Sequence, residues 1–129
     1  MTKSMILIVD DDADSADALG LVMGLRFPES AVVVSYGGPQ ALHAASRQRP
    51  DVALLDIEMP EGGGEMLARS LRTMFPEQSP LLVAISANTV LLNLLTGNGI
   101  FDQFIIKPID VSTLVRMVAS RLAVTSKVP

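Results

Sequence analysis

Three apolar runs in this 129-residue chain end directly on groups that could do chemistry, and a fourth segment does the same. Met5 to Val9 runs into Asp10, Asp11 and Asp12; Val52 to Leu55 into Asp56; Leu81 to Ile85 into Ser86; and Phe101 to Ile106 into Lys107. A carboxylate placed directly behind four core residues, as Asp56 is, needs a partner or a metal to tolerate partial burial. Carboxylates gathered at about 4 Å repel by roughly 4 kcal/mol at an effective dielectric near 20, so a cluster of them calls for a cation. Hard oxygen ligands with no cysteine in the chain suit Mg²⁺ better than Zn²⁺. Lys107 supplies a point charge for a transferred oxyanion, and Ser86 a hydroxyl donor. Together these groups describe phosphoryl transfer onto Asp56.

The elements that must position them follow from the apolar pattern. Val52 to Leu55, bounded by Pro50 and the Met59-Pro60 turn, reads as a strand buried on both faces, as in a parallel sheet. Met5 to Val9, Ala31 to Val34, Leu81 to Ile85 and Phe101 to Ile106 are the other expected strands. The first helix, capped by Asp12 or Asp14, turns Ala16, Leu19, Val22, Met23 and Phe27 inward and stops at Pro28. Gly20 and Gly24 inside it are read as ordinary helix positions. Pro39 suits the start of a second helix, Gln40 to Gln48, with His43 on its surface. A third, Glu65 to Met74, places Met66, Leu67, Leu71 and Met74 or Phe75 on one face. Thr89 to Thr96 is the fourth, ended by Gly97-Asn98-Gly99. Asp110 caps the last, with Val111, Leu114, Val115, Val118 and Leu122 inward. Alternating strands and helices call for an α/β fold, a parallel sheet covered on both faces. Right-handed crossovers then bring the functional strand ends to one edge, the edge where open α/β sheets bind ligands.

Composition sets the bounds. An apolar fraction of 49% with 19% charged residues is globular, and the length fits a single domain over 1–129 with its core at about 5–122. A formal charge of −4 without a basic run argues against direct nucleic-acid binding. No apolar run approaches the roughly 18 residues of a membrane span, and the start lacks a signal-peptide pattern. A cytoplasmic protein with no membrane segment and no output domain is expected.

At this point the chain resembles the response-regulator receiver domain of two-component signalling, over nearly its whole length. Ile6-Leu7-Ile8-Val9-Asp10-Asp11 is similar to that family's first strand and acidic pair. Leu54-Leu55-Asp56-Ile57-Glu58-Met59-Pro60, with Gly64 eight residues after Asp56, resembles its phosphoacceptor segment. Ala84-Ile85-Ser86-Ala87 and Phe104-Ile105-Ile106-Lys107-Pro108 resemble its two remaining motifs. The resemblance implies a flavodoxin-like five-stranded sheet of order 2-1-3-4-5. It implies that Asp56 accepts phosphate from a histidine kinase or phosphotransfer protein. Mg²⁺ would be held by Asp11, Asp56, the Glu58 main-chain carbonyl and, through water, Asp10. Lys107 would contact one phosphoryl oxygen, and Ser86 another as it swings inward. Phe104 matches an aromatic that changes rotamer in the switch, and the Lys107–Pro108 bond would be cis. Glu58 and Asn88 occupy positions that tune dephosphorylation in the family, and catalysis would be confined to the chain's own phosphorylation and dephosphorylation.

One stretch departs from the pattern. Asn88 to Phe101 carries no charged residue, where receiver domains usually carry charge. Val90, Leu91, Leu92, Leu94 and Leu95 cannot all face inward from so short a helix, so part of it is expected to bind a downstream protein or a second copy. Two rivals remain in view. A haloacid-dehalogenase-type phosphatase using Asp10-x-Asp12 would need Thr or Val where Asp14 stands. A phosphate-independent binding module of the same fold is disfavoured by the intact Asp11, Asp56, Ser86 and Lys107 set. The Gly62-Gly63-Gly64 run lacks the phosphate-loop pattern and is read as loop geometry.

Overall fold

The computed structural model describes residues 3–60 and 63–126. The elements alternate without exception: β1 (Met5–Val9), α1 (Ala13–Arg26), β2 (Ala31–Ser35), α2 (Gly38–Arg47), β3 (Val52–Asp56), α3 (Gly63–Met74), β4 (Leu81–Ser86), α4 (Thr89–Leu95), β5 (Gln103–Ile106) and α5 (Val111–Ser126). The five strands form one parallel sheet in the order β2-β1-β3-β4-β5, as expected. Successive side chains of a strand point to opposite faces, which divides the core in two. Leu7, Val9, Ala53, Leu55, Leu82 and Ala84 pack with residues of α2, α3 and α4. Ile6, Ile8, Val52, Leu54, Val83 and Ile85 pack with residues of α1 and α5. Full burial of each such large aliphatic side chain contributes about 1.5–3 kcal/mol, which is why the central strands read as unbroken apolar runs.

Side-chain caps start three of the helices, each worth about 1 kcal/mol. Asp12 accepts from the Asp14 and Ser15 amides at 3.2 and 3.5 Å, Asn88 from the Leu91 amide at 3.1 Å, and Asp110 from the Ser112 amide at 3.1 Å. Two expectations are corrected. In α3 the buried stripe is Gly64, Leu67, Ala68 and Leu71, while Met66 is 60% exposed. Ala68, too small to register as a core residue by hydrophobicity, takes the inward position at helical spacing from Leu71 and Gly64. In α1, Gly20 is a packing residue after all: a Cβ there would lie 2.6 Å from Val34 Cγ2, so the glycine lets α1 settle directly on β2.

β5 begins at Gln103 and not at Phe101, because Asp102 is used differently. Its amide donates to the Leu82 carbonyl, and its carboxylate accepts from the Leu82 amide at 2.8 Å. The same carboxylate pairs with Arg72 at 3.1 Å, and Arg72 also donates to Ile100 O and Ser79 Oγ. Asp51 plays the matching part beside β1. It is buried, accepts from the Met5 amide at 2.8 Å and pairs with Arg49 at 3.2 Å. Both acids stand at the amino ends of strands. Among the described residues, no helix is long and apolar enough to cross a membrane.

Candidate functional site

At the opposite, carboxyl end of the sheet, β1, β3, β4 and β5 deliver Asp10, Asp56, Ser86 and Lys107 to one place. Asp10 is fixed by the Asp12 amide, which donates to its Oδ1 at 2.9 Å. Asp56 is fixed in the same way by the Glu58 amide on its Oδ1, also at 2.9 Å. That leaves Asp56 Oδ2 facing Lys107 Nζ at 3.2 Å, with Asp10 Oδ2 3.5 Å from the same ammonium. Oxygens of Asp10, Asp11 and Asp56 lie within 4.8 Å of one another, with Asp11 the exposed member. The Lys107–Pro108 peptide is cis.

The loop after Asp56 depends on two glycines. Gly63 has φ of 61°, and a Cβ on it would lie 2.5 Å from the Ile57 carbonyl oxygen. On Gly64 a Cβ would lie 2.7 Å from the Asp56 carbonyl oxygen. The start of α3 therefore rests against the backbone that carries the Asp56 carboxylate, and no side chain fits between them. Gly62, the third member of that run, lies outside the described residues.

Electrostatically the cluster is unbalanced. Burial, and then the neighbouring Asp10, hold the Asp56 carboxyl above its ordinary value despite the Glu58 amide and Lys107, which act the other way. Burial alone would lower Lys107, but attraction to Asp56 and then Asp10 leaves it raised. Three clustered carboxylates, two of them facing one ammonium, offer only oxygen donors, a set that suits a hard divalent cation.

Ser86 is already engaged by other groups. Its side chain is already buried, at 0% exposure. The hydroxyl donates to the Glu58 carboxylate and accepts from the Asn88 amide at 2.9 Å. No periodicity in the sequence could have announced the Glu58 contact, which spans 28 residues. Phe104 is half-buried, edge-on to Phe101 with ring centroids 6.1 Å apart. Asp12 does not join the acidic cluster; it caps α1, which removes the second aspartate that the phosphatase alternative requires. A cavity of about 300 Å³ opens beside Asp56 and Lys107, walled by Ala18, Leu19 and Val22 of α1 and by Pro108 and Ile109. In α4, Leu92 and Leu95 are buried, whereas Val90 and Leu94 are 66% and 72% exposed. His43 is exposed, as expected.

Comparison with known proteins agrees with this geometry. The sequence pattern of the response regulator receiver domain matches residues 6–119. The DNA-binding response regulator MtrA of Mycobacterium tuberculosis is 34% identical over 121 residues, which cover 93% of this chain and 51% of that protein. The transcriptional regulatory protein PrrA of the same organism is 31% identical over 122 residues, 95% of this chain and 51% of PrrA. The chain thus spans about half the length of the curated relatives it matches. A CheY-like response regulator receiver domain from Methylobacillus flagellatus superposes with a TM-score of 0.77 at 27% identity, covering 93% of this chain and 99% of that one. A CheY-like receiver domain from Methanospirillum hungatei, 23% identical with a TM-score of 0.81 over 98% of both chains, has the same fold. With the family pattern running through β1 to α5 and the acidic cluster at the expected sheet edge, the chain belongs to the response regulator receiver domain family of two-component signalling.

Proposed function

We propose that Asp56 is the phosphoacceptor of this receiver, taking its phosphoryl group from a histidine kinase or phosphotransfer protein in the cytoplasm. The observation that carries this reading is the fixing of Asp56: one carboxylate oxygen is held by the Glu58 amide, and the other faces Lys107 at 3.2 Å. Asp11, Asp56, the Glu58 main-chain carbonyl and, through water, Asp10 would hold Mg²⁺. The ion, when bound, supplies positive charge that offsets the transferred oxygens. In the transfer, an Asp56 oxygen attacks phosphorus and the bond from phosphorus to the donor nitrogen breaks. The electron pair leaves with the donor imidazole. Lys107 balances charge on one phosphoryl oxygen, and the Ser86 hydroxyl donates to another. Incubation with acetyl phosphate and Mg²⁺ is expected to add one hydroxylamine-labile phosphoryl mass, absent in Asp56→Asn. A mass gain retained in that variant would sink the assignment.

The switch is read as a change of population between two arrangements, with Ser86 and Phe104 as its moving parts. The output face proposed is α4 with the edge strand β5, where Val90, Leu94 and Ile106 are exposed and the helix bears no charge. MtrA is a DNA-binding regulator and PrrA a transcriptional one, so the reader of this face is taken to be a downstream protein or a second copy, with no contact of the receiver itself with nucleic acid. Leu94→Asp is expected to abolish any phosphorylation-dependent rise in mass by light scattering, or binding to the downstream protein. Unchanged mass and unchanged binding would remove α4 from the output.

A further inference from the structure

We infer that the Glu58 carboxylate is a positioning residue that competes with an incoming phosphoryl group for the Ser86 hydroxyl. The inference rests on the reading of Asp56 as phosphoacceptor and deepens it. Ser86 is fully buried, and its hydroxyl is committed at both ends before any phosphate arrives. It donates its one proton to Glu58 and accepts from the Asn88 amide. A serine hydroxyl has a single proton to give, so a phosphoryl oxygen on Asp56 can take that bond only by displacing Glu58. Activation therefore begins with an exchange of acceptors at a hydroxyl that is already committed, and any movement of Ser86 must first break its bond to Glu58.

The consequence extends beyond the acid. Asn88 rests its amide on Ser86 and uses its own side chain to cap α4 through the Leu91 amide. Glu58, Ser86, Asn88 and the first turn of α4 thus form one hydrogen-bonded line from the phosphoacceptor loop to the proposed output helix. Glu58 holds that line in place in the unphosphorylated chain. Being exposed, its side chain is free to leave when displaced.

The test is a double-mutant cycle on the full chain, measuring binding of beryllofluoride with Mg²⁺ by calorimetry in wild type, Glu58→Ala, Ser86→Ala and the double variant. Removing Glu58 is expected to tighten binding about tenfold when Ser86 is present, the size of one hydrogen bond to a charged group. In the Ser86→Ala background the gain should largely vanish. An equal gain in both backgrounds would mean that Glu58 acts only by charge repulsion, and the inference falls. A second reading uses no metal: Glu58→Ala should speed amide exchange at Asn88 in the free protein, and unchanged exchange would also overturn it. Should wild type bind no beryllofluoride at all, the failure lies with the reading of Asp56.

Discussion

The two ends of this sheet use the same residue type in opposite ways. At the amino end, Asp51 and Asp102 each accept from a strand amide and each face an arginine. Each of these two carboxylates has a local donor and a cation of its own. At the carboxyl end, oxygens of Asp10, Asp11 and Asp56 crowd within 4.8 Å of one another, and Asp10 and Asp56 share Lys107. The first arrangement satisfies each carboxylate locally, buried in the case of Asp51 and exposed in that of Asp102. The second costs stability, and a chain keeps such a cluster where a bound charge will complete it. An aspartate in this molecule is therefore assigned a role by how completely its partners satisfy it, not by its depth.

The comparison can be broken at either end. The largest effect is expected from Lys107→Ala, which removes the shared cation: phosphorylation of Asp56 should slow about 100-fold, as when one oriented donor to a developing charge is lost. Single-turnover kinetics with a small-molecule phosphodonor would measure it. A rate within a few-fold of wild type would show that the lysine serves only to hold two acids together.

Asp51→Ala attacks the satisfied end. It strands the Met5 amide and Arg49, so urea melts should show a loss of about 2 kcal/mol, while the rate at Asp56 stays the same. A loss of rate greater than the loss of folded protein would mean the two ends are coupled through the sheet.

The smallest effect has the opposite sign. Asp56→Asn removes a charge that burial and Asp10 disfavour, so in metal-free buffer at neutral pH the variant should melt a few degrees above wild type. Because the carboxyl is raised in the folded chain, its ionisation costs stability above that pKa, and the cost disappears as acid protonates it. The difference between the two proteins should accordingly shrink as pH falls through the carboxylate range. A gap that widens in acid would contradict the crowding described for this end.

Much of this was legible in the residues. Met-Ile-Leu-Ile-Val and Val-Ala-Leu-Leu announce strands because both faces of the sheet are covered, so no polar alternation interrupts them. The site could be read because each of its groups follows such a run, and parallel strands align their ends. What stayed hidden depends on distance through space. Met66 points outward and Ala68 inward because size, not hydrophobicity, decides which residue fits beneath a helix lying close to the sheet. The Gly20 contact with Val34, and Arg72 reaching Ile100 and Asp102, join elements whose separation no local period encodes. The same is true of Glu58 on Ser86.

The glycines behind the loop that follows Asp56 carry one last consequence. Since Gly64 leaves no room for a Cβ against the Asp56 carbonyl, the carboxylate and the helix that follows it cannot be redesigned separately. A chimera that borrows β3 from one receiver and α3 from another inherits a steric mismatch unless the junction falls beyond Gly64. Recombination in this fold has a natural cut site, and it lies more than eight residues downstream of Asp56.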